Sequence, residues 1–320
     1  MPYIEHSSYP KPNFINRNAH LSTIIPAKFK KYPIPNYTRE RIETNDGDFL
    51  NLDWRFQNDK DKLVILFHGL EGDSKRTYLN SCSDYFYDKG FNILAWNHRS
   101  CGGEMNDTCR LYHHGSIDDV HRVVEKALKE NYQEVYLIGY SMGGALILNY
   151  LGSYEVSNKI KCGVVFSAPI SLKSCADTLK IFPNTVYFKN FKRTLVPKFK
   201  VKAKQFPGVL NEKMIDKIKT FDEVDEYFTA ALHGYSSKED YYHKASPVTV
   251  LNHIKTPCLI VNAANDPFLG KDCYPIERFK NHTFCTFEMP KYGGHCGFPL
   301  ENNKHSWAEI RAWKFIGNIN

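Results

Sequence analysis

Gly139-Tyr140-Ser141-Met142-Gly143-Gly144 stands directly behind the apolar run at residues 135–138 and ahead of the helix-forming stretch at 145–151. Few folds accommodate that order. A short buried strand that ends in Gly-x-Ser-x-Gly and restarts at once as a helix is the context of a nucleophile elbow. Glycines two positions before and two after the serine remove Cβ atoms where strand and helix must approach. The serine hydroxyl is then exposed at the C-terminal edge of a sheet, at a helix N-terminus that favours developing negative charge.

A serine hydroxyl is a poor nucleophile without a base, so the other parts should follow in the order Ser, acid, His. Residues 257–262 read as a buried strand ending in Ala263-Ala264-Asn265-Asp266-Pro267, which puts Asp266 just past a strand end. Residues 283–289 read as the next strand and lead into Gly293-Gly294-His295-Cys296-Gly297, a loop able to carry an imidazole to the serine. Ser141, Asp266 and His295 are therefore the candidate charge-relay set. Upstream, the buried run 63–67 enters His68-Gly69-Leu70-Glu71-Gly72. An oxyanion hole needs one N–H from the residue after the nucleophile and one from this early loop, so Met142 and Leu70 are the candidates. His68 reads as a brace for that loop. Cys296 lies on the wrong loop, with no elbow, to serve as a nucleophile.

Strands and helices alternate along the rest of the chain. Phe49 to Phe56 reads as an antiparallel edge strand, and 92–96 and 162–167 as further core strands. Helices are expected at 78–89, at 117–130 behind Ser116, and at 307–316. Such alternation predicts an α/β class with a mainly parallel sheet covered on both faces. The rhythm breaks from 171 to 250, which predicts a cap insertion over the strand ends within a single domain of 1–320. Caps of this kind usually make the substrate choice.

With these motifs in place, the chain resembles the YheT-like branch of the α/β-hydrolases, serine esterases related to membrane-anchored lipid hydrolases of animals. The likeness covers most of the sequence. Asn18-Ala19-His20-Leu21-Ser22-Thr23 is similar to the family's Asn-Pro-His-Leu-Gln-Thr, with Ala19 and Ser22 as departures. His68-Gly69-Leu70-Glu71-Gly72 matches its oxyanion loop, and Arg99-Ser100-Cys101-Gly102-Gly103 resembles its Arg-Gly-Cys-Ser-Gly loop. Asp240-Tyr241-Tyr242, Asn265-Asp266-Pro267-Phe268 and Gly294-His295-Cys296-Gly297-Phe298 complete the pattern. The resemblance implies an α/β-hydrolase fold with Ser141, Asp266 and His295 as its relay.

The bulk composition fits one catalytic domain. Hydrophobic residues make up 42% and charged residues 24% of the 320 positions, an ordinary globular balance. No run of eighteen apolar residues marks a transmembrane helix. The start, Met1-Pro2-Tyr3-Ile4-Glu5-His6, has neither the basic nor the apolar region of a signal peptide. Nine cysteines never form C-x-x-C, which suits reduced thiols in a cytoplasmic protein better than a disulfide framework. His113/His114 and Asp118/Asp119 are adjacent pairs whose side chains diverge, so neither makes a chelate and no metal or other cofactor is expected.

From Lys189 to Lys204 seven basic residues occur without an acid, interleaved with Phe191 and Phe199, in a chain of formal net charge +7. The run is expected to be a solvated cap face with its phenylalanines turned inward. The competing expectation is weak contact with anionic membrane. No nucleic-acid-binding motif accompanies the charge. The resulting expectation is a serine esterase acting on small-molecule carboxylic esters. The alternatives are an acyltransferase, a lipase or phospholipase with the same relay, or a non-catalytic binding protein on this fold.

Overall fold

The apolar runs around residues 65, 94, 137 and 164 are continuous rather than alternating, as expected of strands covered on both faces. The computed structural model describes residues 3–58 and 61–319, so Met1 and Pro2 of the start read for a leader lie outside it. These runs form the middle of a nine-stranded sheet. In chain order its strands are β1 (Tyr3–Ile4), β2 (Thr38–Glu43), β3 (Phe49–Arg55), β4 (Lys62–Phe67), β5 (Asn92–Asn97), β6 (Glu134–Tyr140), β7 (Ile160–Phe166), β8 (Cys258–Val261) and β9 (Cys285–Glu288). Their order across the sheet is β1-β9-β8-β7-β6-β4-β5-β3-β2. The pairs β2–β3 and β3–β5 are antiparallel and the others parallel.

Successive side chains on a strand point to opposite faces, and each face has its own core. Val64, Leu66, Ile93, Ile138 and Phe166 meet Leu79 and Phe86 and, from the last helix (Trp307–Gly317), Trp307 and Ala312. Leu63, Ile65, Leu94, Leu137 and Val165 meet Val120, Val123, Leu146 and Ile147 on the opposite side. The α-helices before β7 are α1 (Ala19–Lys28), α2 (Thr77–Tyr87), α3 (Ile117–Leu128) and α4 (Met142–Ser153).

One expectation is corrected. β3 is not an edge strand: it lies between β2 and β5, and all its residues except Arg55 are buried. The polar residues that gave it an alternating look are used internally. Asp53 accepts from Arg39 Nε (2.7 Å), Ser74 Oγ (2.5 Å) and Asn97 Nδ2 (2.9 Å). The edge belongs to β2, whose burial alternates only weakly.

Between β7 and β8 the chain is helical, beginning with α5 (Leu172–Leu179) and α6 (Thr185–Gln205). Phe188, Leu195, Phe199 and Ala203 of α6 face a separate apolar cluster. The basic run splits around the helix. Lys189, Arg193, Lys200 and Lys204 are exposed. Lys202 is fully buried and donates to the carbonyls of Asn106 (2.5 Å) and Thr108 (2.6 Å), so the run is not a uniformly solvated face. Among the described residues no helix is long and apolar enough to cross a membrane.

Packing is close where α4 begins. A Cβ built on Gly143 would stand 2.4 Å from the Phe67 carbonyl oxygen at the end of β4, and one on Gly139 would stand 2.7 Å from the Gly143 carbonyl oxygen. Backbone cannot swing aside as a side chain can. Gly143→Ala is therefore expected to lower stability in a urea melt by about 1–3 kcal/mol, the range for overpacking a filled core. Gly317→Ala, at a helix end with nothing within 4 Å of the new Cβ, is expected to be neutral or slightly stabilising.

Candidate active site

Ser141 caps α4 with φ 55 and ψ −123, a conformation that strains a residue carrying a Cβ. Its N–H donates to the Phe166 carbonyl on β7 (2.9 Å) and its own carbonyl accepts from Ala145 N–H (3.1 Å). The turn is thus pinned from both sides. Asp266 follows β8, and its carboxylate accepts from Phe268 N–H (2.9 Å). His295 follows β9, and its backbone N–H donates to Thr23 Oγ1 (2.9 Å).

The structure brings these three side chains into one hydrogen-bonded line. His295 Nε2 is 2.9 Å from Ser141 Oγ, and His295 Nδ1 is 2.9 and 3.0 Å from the two Asp266 oxygens. With Nδ1 facing a carboxylate it carries the proton, which leaves the Nε2 lone pair for the serine hydroxyl. The Phe268 ring stacks on the imidazole at 4.0 Å and 11°. Burial opposes the imidazolium, but the adjoining Asp266 carboxylate, helped by the neighbouring Cys296 side chain, outweighs it and pushes the His295 pKa above its ordinary 6.5.

The loop after β4 lies directly against the serine: a Cβ on Gly69 would be 3.1 Å from Ser141 Cβ and 3.5 Å from its Oγ. Gly72 N–H closes the turn onto the Gly69 carbonyl (3.0 Å), and Gly69 N–H donates to Tyr78 OH (2.9 Å). No hydrogen bond from the Leu70 or Met142 N–H to a protein acceptor is found among the described residues. His68 braces this loop. Its Nδ1 donates to the Gly69 carbonyl (2.7 Å) and its Nε2 accepts from His98 N–H (3.1 Å). Burial pushes its pKa well below the ordinary value, which keeps the ring neutral.

The pairs set aside as chelates are used elsewhere. Asp119 accepts from Arg99 (2.6 and 2.8 Å), Asp118 from Arg110 (3.0 Å), and His114 Nδ1 lies 2.9 Å from Tyr241 OH. Among the described residues no group of three metal-ligating side chains occurs. Cys296 N–H donates to Ser167 Oγ (2.9 Å), and its side chain adjoins the His295 ring.

Several supporting residues were not anticipated. Asn265 Oδ1 accepts from Gly294 N–H (3.0 Å) and its Nδ2 donates to the Arg17 carbonyl (3.2 Å). A Cβ on Gly297 would fall 2.1 Å from the Ser22 carbonyl oxygen, so α1 is packed against the histidine loop. The Asn18–Thr23 motif was the available signal, although it carried no role. Ser141, Leu70 and His295 share a cavity walled largely by apolar residues of the helical stretch between β7 and β8, including Leu195, Phe199, Val224 and Phe228.

A family model described as "Serine aminopeptidase, S33" matches residues 58–272. The YheT protein of Escherichia coli (strain K12), provisionally named an esterase, is 28% identical over 302 residues, covering 92% of this chain and 88% of that protein. Phospholipase ABHD3 of Bos taurus is 30% identical over 277 residues, 83% of this chain and 67% of its own. Monoacylglycerol lipase of Saccharomyces cerevisiae is 27% identical over 274 residues, 81% of this chain and 60% of that one. Among solved structures, the Pyrococcus furiosus esterase Pf2001 aligns with a TM-score of 0.61 over 88% of this chain and 91% of that chain. At 20% identity that likeness concerns the fold.

The carboxylate's hold on the imidazole can be read directly by NMR titration. In the wild type, His295 is expected to titrate above 6.5. In Asp266→Asn the main attractive charge is gone while burial still opposes the imidazolium, so the midpoint should drop clearly below the wild-type value. An unchanged midpoint would show that Asp266 does not set the charge of this ring.

Proposed function

The chain belongs to the serine aminopeptidase S33 family, as an α/β-hydrolase of esterase or lipase type, and on that footing we propose that it hydrolyses carboxylic esters through an acyl-enzyme on Ser141. The observation that carries this reading is the unbroken line from Ser141 Oγ through His295 to Asp266, each link close to 2.9 Å.

In this mechanism Ser141 Oγ attacks the ester carbonyl carbon while His295 Nε2 takes its proton. Asp266 holds Nδ1–H in place and stabilises the imidazolium that forms. The carbonyl oxygen, now negative, is received by the free N–H groups of Leu70 and Met142 at the start of α4. The C–O bond breaks as His295 returns the proton to the departing alcohol. Water then repeats the sequence on the acyl-enzyme and frees the acid and the serine.

The helical stretch 171–250 acts as a cap within the single domain and selects the acyl group. Its apolar wall over Ser141 suits a hydrocarbon chain. The names phospholipase and monoacylglycerol lipase among the relatives favour a lipid-derived acyl ester.

A p-nitrophenyl ester series from acetate to palmitate tests the reading. Ser141→Ala should lose about 10⁶-fold in kcat and Asp266→Asn about 10⁴-fold, because the second leaves the base present but in the wrong tautomer. Turnover retained in a folded Ser141→Ala would refute it. The pH profile has a defined sign. Only neutral His295 can accept the proton, so kcat/KM should fall tenfold per pH unit below its raised pKa, with the midpoint on the alkaline side of 6.5.

A further inference from the structure

Leu70 N–H can meet an oxyanion only while the turn at 69–72 keeps its present shape, and that shape depends on an unfavourable residue. Glu71 lies in the left-handed region at φ 56. For a side chain with a Cβ this conformation persists only where the surroundings over-determine it. Glu71 has such surroundings. Its N–H donates to Tyr112 OH (2.8 Å), and its carbonyl accepts from Arg76 Nη2. Its Oε1 accepts from Tyr112 OH (2.5 Å) and from Lys198 Nζ (2.7 Å).

Tyr112 and Arg76 belong to the body of the domain. Lys198 comes from α6 in the cap. The Lys198 and Glu71 side chains are only 16% and 4% exposed, and both residues line the cavity that holds Ser141. Lys198 Nζ also lies 3.4 Å from Cys101 Sγ and 5.4 Å from the Tyr112 ring centre. No second carboxylate shares it among the described ion pairs. Removing the ammonium would leave a buried carboxylate without its counter-charge, a state far costlier than an exposed unpaired charge. The carboxylate would keep only the Tyr112 OH donor in that buried place, and the strained turn would lose one of its restraints.

We propose that Lys198 is a positioning residue for the oxyanion hole: by pairing with Glu71 across the cavity it fixes the 69–72 turn, and with it Leu70 N–H, when α6 is seated over the active site. The proposal rests on the esterase reading, in which Leu70 is an oxyanion donor. It makes the cap part of the catalytic geometry as well as a wall for the substrate. An enzyme whose cap lifts would lose oxyanion stabilisation along with the wall.

Lys198→Met keeps the aliphatic stem and removes the charge. With p-nitrophenyl butyrate, kcat is expected to fall about 10- to 100-fold, since a donor displaced by about 1 Å can cost about 10²-fold. KM should change less than about threefold, because the lost interaction belongs to the transition state. Affinity for a trifluoromethyl ketone, whose adduct with Ser141 carries a tetrahedral oxyanion, should fall by the same factor as kcat. Lys198→Arg should restore most of both. Glu71→Gln should reproduce the pattern and serves if Lys198→Met fails to fold. A merely structural contact would lower the melting temperature and leave kcat per folded enzyme and ketone affinity unchanged, which would overturn the proposal. So would a loss expressed in KM alone, or no rescue by arginine. Wild-type turnover and its loss in Ser141→Ala test the esterase reading separately, so the two can fail independently.

Discussion

The structure depends on a backbone-to-backbone contact, the close approach of the first turn of α4 to the end of β4. Gly143 meets the Phe67 and His68 carbonyl groups at distances that leave no room for a Cβ. This approach forces the chain to reverse sharply at Ser141, and the reversal puts that residue at φ 55. Strain of this kind costs of order 1–3 kcal/mol and must be offset locally. The Ser141 N–H bond to Phe166 and the buried helix behind it supply the offset. The same contact presses the Gly69–Gly72 turn against the serine. The elbow and the proposed oxyanion donors therefore follow from one packing decision.

The histidine loop depends on the opposite end of the chain. Thr23 receives the His295 N–H, the Arg17 carbonyl receives Asn265, and Ser22 fills the space beside Gly294 and Gly297. Residues some 270 positions apart thus fix the imidazole on which the proposed proton transfers turn. A preorganised base needs this kind of external support, because loops alone hold side chains too loosely for proton transfer.

Much of this was legible in the sequence because apolar runs and glycine spacing act locally. The strands β4 to β9 stand close to where hydrophobic runs predicted them, and Ser141, Asp266 and His295 lie at the three strand ends expected. β3 was misplaced because alternation reports polarity, whereas Asn51 and Asp53 satisfy their polar atoms inside the protein. β1 is only two residues long and β2 has a single buried apolar residue, Ile42, so neither offered an apolar run to read. The basic run on α6 was read as one face because charge was counted along the chain. Helical spacing could have split it. Leu195, Lys198, Phe199 and Lys202 fall at i, i+3, i+4 and i+7, one inward stripe, while Lys189, Arg193, Lys200 and Lys204 form another. What spacing could not reveal is Lys198's partner, since Glu71 is 127 residues away.

The central claim is that a covalent intermediate forms on Ser141. Peptide mapping by mass spectrometry after brief exposure to a fluorophosphonate tests it most directly, because the reagent is attacked by an activated serine and leaves a stable adduct. The account predicts one adduct per molecule, located on Ser141, blocking ester turnover in proportion to labelling, and absent from Ser141→Ala and from a folded His295→Ala. An adduct on another residue that tracks loss of activity, or full turnover by enzyme labelled at Ser141, would contradict it.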